Sequence, residues 1–332
     1  MRTMKIPQPW TAEEVRAAHA VTSAGRPYLY LASRLLADPL PRTAFEVAYA
    51  SMRGVDDAVD ERAAGAGGTE LRAGVTRWLE RARAARRGER GTGDVMQGAL
   101  ATLFRVCELP FEPWERLGAA LLEDLSRDGF ETLEEFLAYS EGVAVGPGRL
   151  FAMLMSSTSA GGRHVPHPAS HHPAFAELAR FTYLVHGLRD LARDLEGPMR
   201  GTALAPRAEL RAAGLDPSAL TTGPAAARNA WVLSVAGRAR AIRRRAGDPW
   251  RLPGQEMPPG AAFVLAFLVS LYERQLGRIE SRGGDVFSDS HRMGSGDVLD
   301  AAQLTVSQYH GAPEDWRERL QAELGDGAAP RA

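Results

Sequence analysis

Two Asp-x-x-x-Asp pairs, Asp56–Asp60 and Asp190–Asp194, lie far apart in a chain whose apolar residues recur almost throughout with a helical period. On an α-helix residues i and i+4 share a face, so each pair directs two carboxylates the same way. Val55, Ala58 and Val59 flank the first pair; Leu184, Val185, Leu188, Leu191 and Leu195 flank the second. A lone pair of this kind more often belongs to a solvated helix face. Carboxylates set in an apolar stripe, however, demand partners, because unpaired buried charge is costly. Hard divalent cations take oxygen ligands and then hold substrate phosphates. Two such pairs facing each other across a helical cavity would grip a diphosphate through bridging metals, which suits ionisation of an allylic diphosphate.

Composition narrows the alternatives. With 332 residues, 45% of them hydrophobic and 24% charged, the chain can bury a large core. A formal net charge of -1 offers no global basic field, so nucleic acid is not an expected partner. Lys5 is the only lysine and there is no Gly-Lys-Ser/Thr loop, which argues against pyridoxal phosphate and P-loop chemistry. Cys107 is the only cysteine, excluding an internal disulfide framework and a Cys-rich zinc site. Among Leu103, Phe104 and Val106 it reads as a small buried hydrophobe rather than a nucleophile. The start, Met1 to Pro7, lacks the apolar core of a secretory signal. The apolar run Ala261–Val269 falls short of the ~18–20 residues of a membrane span and reads as a buried helix. A cytoplasmic protein with at most peripheral membrane contact is expected.

Periodicity and breakers predict helices over Ala12–Ser23, Tyr28–Ala37, Arg42–Glu61, Leu71–Arg87, Val95–Cys107 and Pro113–Arg127, with a turn through Asp38–Pro41. Further helices are expected over Ala174–Leu195, Pro224–Arg245, Pro259–Ser281 and Ser295–Tyr309. Thr132 and Glu135 have capping-box spacing and should start the helix that carries Tyr139. The stretch from Gly161 to Pro173 holds His164, His167, His171 and His172. Interleaved prolines, and no accompanying acid or cysteine, make it a solvated loop rather than a zinc site. The Gly/Ala/Pro tail from Gly325 is expected to be disordered. The chain thus divides into an N-terminal segment and first helix (1–24), one helical domain (25–310) and a partly disordered C-terminal tail (311–332).

The order of motifs resembles the squalene/phytoene synthase family. Arg42-Thr43-Ala44, Tyr49-Ala50 and Arg53-Gly54-Val55-Asp56-Asp57-Ala58-Val59-Asp60-Glu61 look like its first signature. Asp124, Phe130-Glu131-Thr132 and Tyr139 to Gly148 are similar to its central segment. Leu188-Arg189-Asp190-Leu191-Ala192-Arg193-Asp194 resembles the second aspartate motif, and Tyr272 to Phe287 its closing helix. The resemblance spans Ser23 to Leu299. It implies an all-α, single-domain, isoprenoid-synthase-type helical bundle around a central cavity, with Mg²⁺-dependent ionisation of a prenyl diphosphate and attack by a second isoprenoid. Carried onto this chain, Asp56, Asp60, Asp190 and Asp194 would hold two or three Mg²⁺ ions. Arg53 and Arg189 would contact diphosphate, to which arginine's planar fork is suited. Tyr139 would line the cavity mouth, and residues around Ala144 and Gly148 would shape the prenyl tunnel.

Four positions depart from the family pattern. His186 stands where a metal-helping Asn is usual; Mg²⁺ prefers oxygen, so an acid/base or hydrogen-bonding role is expected, with a core histidine satisfied by a neighbour as the alternative. Tyr183 replaces a glutamine. Gly201-Thr202-Ala203-Leu204-Ala205-Pro206 has lost the Arg and Tyr of the family segment, for which Arg200 or Arg207 would have to compensate. Gly25-Arg26-Pro27-Tyr28 replaces a diphosphate segment and makes Arg26 a candidate phosphate contact. Ionisation of the first substrate therefore looks intact, while the second substrate is less fixed. Head-to-head condensation of farnesyl or geranylgeranyl diphosphate is the expected reaction. Transfer to a second small-molecule acceptor such as an amine or aromatic, or cyclisation or hydrolysis, are the alternatives. No dinucleotide fingerprint appears, and use of NADPH stays open.

Overall fold

The computed structural model describes residues 9–60, 68–196 and 201–325, with Asp60 described in its backbone only. Helix α1 (Ala12–Ser23) opens with a capping box: Thr11 Oγ1 accepts from the Glu14 N–H at 3.2 Å, and Glu14 Oε2 accepts from the Thr11 N–H at 2.8 Å. Helix α2 (Tyr28–Ser33) ends short of the expected Ala37, because the Leu35 and Leu36 N–H groups turn back to Ala32 and Ser33 in tighter i→i+3 bonds. Helix α3 (Pro39–Asp60) begins inside the expected turn. Asp38 Oδ1 accepts from the Leu40 N–H at 2.9 Å, and Pro39 and Pro41 fall in the first turn, where a missing N–H costs nothing. Glu61, the expected end of this helix, lies outside the described residues.

Helices α4 (Gly68–Arg86), α5 (Val95–Val106) and α6 (Glu112–Asp124) pack as a group beside α3. Helix α7 (Leu133–Ser140) starts at Thr132, whose hydroxyl accepts from the Glu135 N–H at 3.1 Å as its spacing predicts. It runs through a π-helical segment, Glu141–Val145, into α8 (Gly146–Met155). Strands β1 (Thr158–Ala160) and β2 (Arg163–Val165) then form an antiparallel hairpin where a loop is expected. Gly161 (φ 58) and Gly162 (φ 80) supply the two positive φ angles that a tight hairpin turn requires. His164 is buried, while His167 Nδ1 and His172 Nδ1 accept from the Ala169 and Ala174 N–H groups at 3.3 and 3.2 Å. The histidine stretch is thus a hairpin followed by capped turns.

Helices α9 (Ala174–Glu196), α10 (Arg207–Ala212), α11 (Ala225–Ala246), α12 (Pro259–Ser281), α13 (Ser295–Gln308) and α14 (Trp316–Leu324) complete the chain. The second aspartate helix, α9, packs on α8, α11, α12 and the π segment, and the first, α3, packs on α1, α5 and α8. Ala261 through Val269 on α12 are all buried, as expected of a core helix. No helix among the described residues is long and apolar enough to cross a membrane. Helix α14 lies within the stretch set apart as a tail and buries Leu320 and Leu324; residues 326–332 are outside the described residues. The result is an all-α bundle, the hairpin apart, with its cavity between α2, α3, α9, α12 and the α7–α8 wall.

Candidate active site

The central cavity has a volume of about 290 Å³. Its apolar walls include Phe136, Phe151, Phe175, Leu178, Leu265 and Trp250. Its polar side is supplied from two helices remote in sequence, with Tyr49 and Asp56 from α3 and Tyr183, His186, Arg189, Arg193 and Asp194 from α9. Tyr139, the last-but-one residue of α7, lines the same space.

Asp56 makes no hydrogen bond or ion pair among the described residues. Burial, reinforced by the charges of Asp57 and Asp124, pushes its carboxyl up to about 7. Arg53, one turn earlier, does not line the cavity. Its Nε donates to Asp57 Oδ2 at 3.2 Å, its guanidinium lies 6.0 Å from the Tyr49 ring centre, and its Nη1 is buried without a hydrogen-bond partner. The Asp60 side chain is outside the described residues.

The two aspartates of α9 differ sharply. Asp190 is fully buried and absent from the cavity lining; Arg189 Nη2 donates to its Oδ2 at 2.8 Å, and Arg193 Nη2 stands 3.5 Å away. Burial alone would raise this carboxyl, but the charges of Arg189 and its other neighbours outweigh burial and hold it well below the usual range. Asp194 faces the cavity and pairs with Arg193 at 3.0 Å; there burial wins and pushes the carboxyl up to about 6.

Arg189 also donates through Nη2 to His186 Nδ1 at 3.0 Å, and its guanidinium lies 5.2 Å from the Tyr28 ring centre. With Nδ1 accepting, the imidazole proton sits on Nε2, which faces Asp190 Oδ2 at 3.4 Å. Burial and the Arg189 charge lower His186 to about 4, so the ring is neutral near pH 7. It stacks on Tyr183 (6.2 Å, 14°), which stacks in turn on Phe136 (5.1 Å, 14°). The two substituted positions thus form one aromatic wall.

Tyr139 donates its hydroxyl proton to Asp124 Oδ2 at 2.6 Å. Burial pushes Asp124 up to about 6 against this bond and against Arg127. Motif spacing leaves Asp124 and Arg193 without a role. Arg193 is recoverable from its place four residues after Arg189 on the same helix face; no local signal announces the partnership of Asp124 with Tyr139.

Arg26 is directed elsewhere: its Nη1 donates to the Leu324 carbonyl at 2.5 Å, and Pro27, Tyr28 and Leu29 beside it line the cavity instead. Thr202 and Leu204 of the altered segment line it too. Arg207 binds Asp128 at 2.9 Å, away from the cavity, and Arg200 lies outside the described residues. Among the described residues no three His, Cys, Asp or Glu side chains gather as a set that could hold a metal ion.

Fold and site together define an isoprenoid-synthase-type bundle, with carboxylates from two helices remote in sequence entering one largely apolar cavity. The squalene/phytoene synthase family model matches residues 24–297, and the chain belongs to that family of prenyltransferase enzymes. A dehydrosqualene synthase solved with a bound ligand superposes with a TM-score of 0.72 at 18% identity, covering 89% of this chain and 96% of that one. The squalene synthase HpnC from Alicyclobacillus acidocaldarius superposes with a TM-score of 0.66 at 23% identity, covering 81% and 94%. Such likenesses establish the fold. No curated protein matches the sequence.

Proposed function

We propose that this enzyme is a Mg²⁺-dependent transferase that condenses two farnesyl or geranylgeranyl diphosphates head to head into a squalene- or phytoene-type product. The observation that carries the reading is the entry of Asp56 and Asp194, from α3 and α9, into one cavity whose remaining walls are largely apolar. Burial raises both carboxyls; Asp56 has no ion-pair partner among the described residues and Asp194 has Arg193, so a divalent cation would supply the positive charge that Asp56 lacks. Asp56, Asp60, Asp190 and Asp194 would hold it, and Mg²⁺ would supply neutralisation of the departing diphosphate.

The protein's own groups do the rest. Arg189, which lines the cavity, offers its guanidinium fork to diphosphate oxygens; Arg53 lies outside the lining and would have to turn inward to join it, with an Nη1 that lacks an acceptor. Asp190 is fully buried beside Arg189 and outside the cavity lining, so it would serve as a ligand only if Arg189 engaged the diphosphate in its place. Phe136, Tyr183, His186 and Tyr139 line the cavity with aromatic rings that would stabilise a developing cation, and the apolar walls keep water from it.

A second reading rests on His186. A neutral imidazole in the wall, whose Nδ1 is released when Arg189 leaves it, can accept a proton from a nucleophile. Transfer of the allylic cation to a non-isoprenoid amine or aromatic would use it so.

The test is incubation with Mg²⁺ and each prenyl diphosphate, with and without a small-metabolite extract, following diphosphate release and products by mass spectrometry. A dimeric isoprenoid from donor alone is the expected result. An adduct that needs extract would replace it with the second reading, and no diphosphate release under any condition would sink both. Asp56→Ala and Asp190→Ala should each abolish release.

A further inference from the structure

Behind the wall of the central cavity lies a second recess of about 490 Å³. The two share a partition. Along residues 141–153, Val143, Ala144, Gly148 and Phe151 face the cavity, whereas Val145, Arg149, Leu150 and Met153 face the recess. The recess is apolar on its other side as well, where Leu109, Pro110, Pro113, Val165 and Pro166 line it.

Its charges are unevenly matched. Arg116 Nε donates to Glu112 at 2.7 Å, and Glu141 is bound by Arg180, so both acids are occupied. Arg86, which is exposed, lies 5.2 Å from the Phe104 ring centre and forms no ion pair among the described residues. Arg149 forms neither ion pair nor hydrogen bond there, and its Nε is buried without an acceptor. Glu108, which is exposed, pairs with neither arginine. A buried donor left without its bond is costly, and a group of this kind calls for an acceptor that arrives with a ligand. A guanidinium fork selects a planar or tetrahedral oxyanion, and the flanking walls select an apolar body behind it.

We infer that this recess is a second binding site, distinct from the prenyl cavity, for a phosphate monoester carrying an apolar tail. Arg149 and Arg86 take the phosphate, and the tail lies along Leu109, Pro113 and Met153. The inference is independent of the reaction catalysed. The ligand can arrive as a free alkyl or isoprenyl phosphate or as a phospholipid headgroup, since the recognised chemistry is the same.

The probe is decyl phosphate below its micelle concentration, titrated calorimetrically into the full-length protein. One saturable site is expected, weakened at least tenfold in Arg149→Gln and unchanged in Arg193→Gln, which alters only the central cavity. Arg149→Lys, which keeps the charge but loses the fork, should fall between. Melting temperature serves as the folding control, and Arg149→Gln should not lower it, because the side chain makes no bond to lose. Decanol should bind at least tenfold more weakly, and so should inorganic phosphate. Vesicles with and without phosphatidic acid separate the sources. Protein left in the supernatant assigns a free ligand, and Arg149-dependent sedimentation assigns a headgroup. No saturable binding, binding that survives Arg149→Gln but fails in Arg193→Gln, or decanol or phosphate binding as tightly as decyl phosphate would overturn the assignment.

Discussion

Arg189 is the residue on which the candidate site turns, because it holds Asp190, His186 and the Tyr28 ring together. Removing one partner of a buried pair leaves a charge uncompensated, which costs about 3–5 kcal/mol. Arg189→Ala should therefore lower stability by about 3 kcal/mol in denaturant titration while abolishing diphosphate release. Arg53 pairs with the half-exposed Asp57, a contact worth at most about 1 kcal/mol. Arg53→Ala should accordingly spare stability and reduce turnover, and equal stability losses in the two variants would contradict this division. Cys107 gives a pH-dependent contrast. Burial pushes its thiol up to about 12 from 9.0, so the native state holds the proton more tightly. That contribution is complete below pH 9 and is lost as pH rises towards 12. Iodoacetamide at pH 8 should label Cys107 only in denaturant, and between pH 9 and 11 Cys107→Ala should lose less stability than the parent chain. The aspartate pairs were legible because carboxylates among leucines and valines stand out. The seclusion of Asp190 was not, since i,i+4 spacing fixes a helix face but not which neighbouring arginine folds over it.

At the scale of elements, amphipathic helices were readable to within a few residues: α1, α9 and α12 follow directly from period and breakers. What escaped was set by contacts rather than by period. The π segment depends on close approach. A Cβ on Gly142 would stand 2.7 Å from Ala120 Cβ and 3.1 Å from the Arg116 carbonyl oxygen. The hairpin had a signal in Gly161-Gly162, masked by four histidines and the prolines around them. Gly142→Ala should push the π segment off α6 at a cost of about 1–3 kcal/mol, the usual range for overpacking. As Val143 and Ala144 line the cavity, the same change should raise KM for the prenyl donor. Unaltered melting and kinetics would show that the wall yields freely there.

Across the whole molecule, the helix beyond the family-matched residues braces the cavity from outside. Arg26 is the only non-glycine with positive φ among the described residues (φ 52), a conformation that costs about 1–2 kcal/mol. Its guanidinium bonds the Leu324 carbonyl at the end of α14, and Tyr30 Oη and Arg34 Nε donate to Glu323 at 2.6 and 2.7 Å. Arg319 Nη1 returns to the Leu36 carbonyl at 3.3 Å. The chain from Arg26 to Leu36 is thus tied along its length to α14, and its Pro27, Tyr28 and Leu29 form part of the cavity wall. Composition hides this helix, because the segment is short, polar and followed by a Gly/Ala/Pro tail; its anchors Leu320 and Leu324 are legible as core only once α14 is docked. Burying those two side chains contributes about 1.5–3 kcal/mol each. Ending the chain at Gly311 should therefore cost about 5 kcal/mol and raise KM for the donor, while turnover at saturating donor persists. Arg26→Gly separates the two contributions: it relieves the backbone strain while losing the bond, so stability should change by less than about 1 kcal/mol and KM should still rise. If KM stays at its parent value in both variants, the brace serves stability alone and α14 has no hold on the cavity.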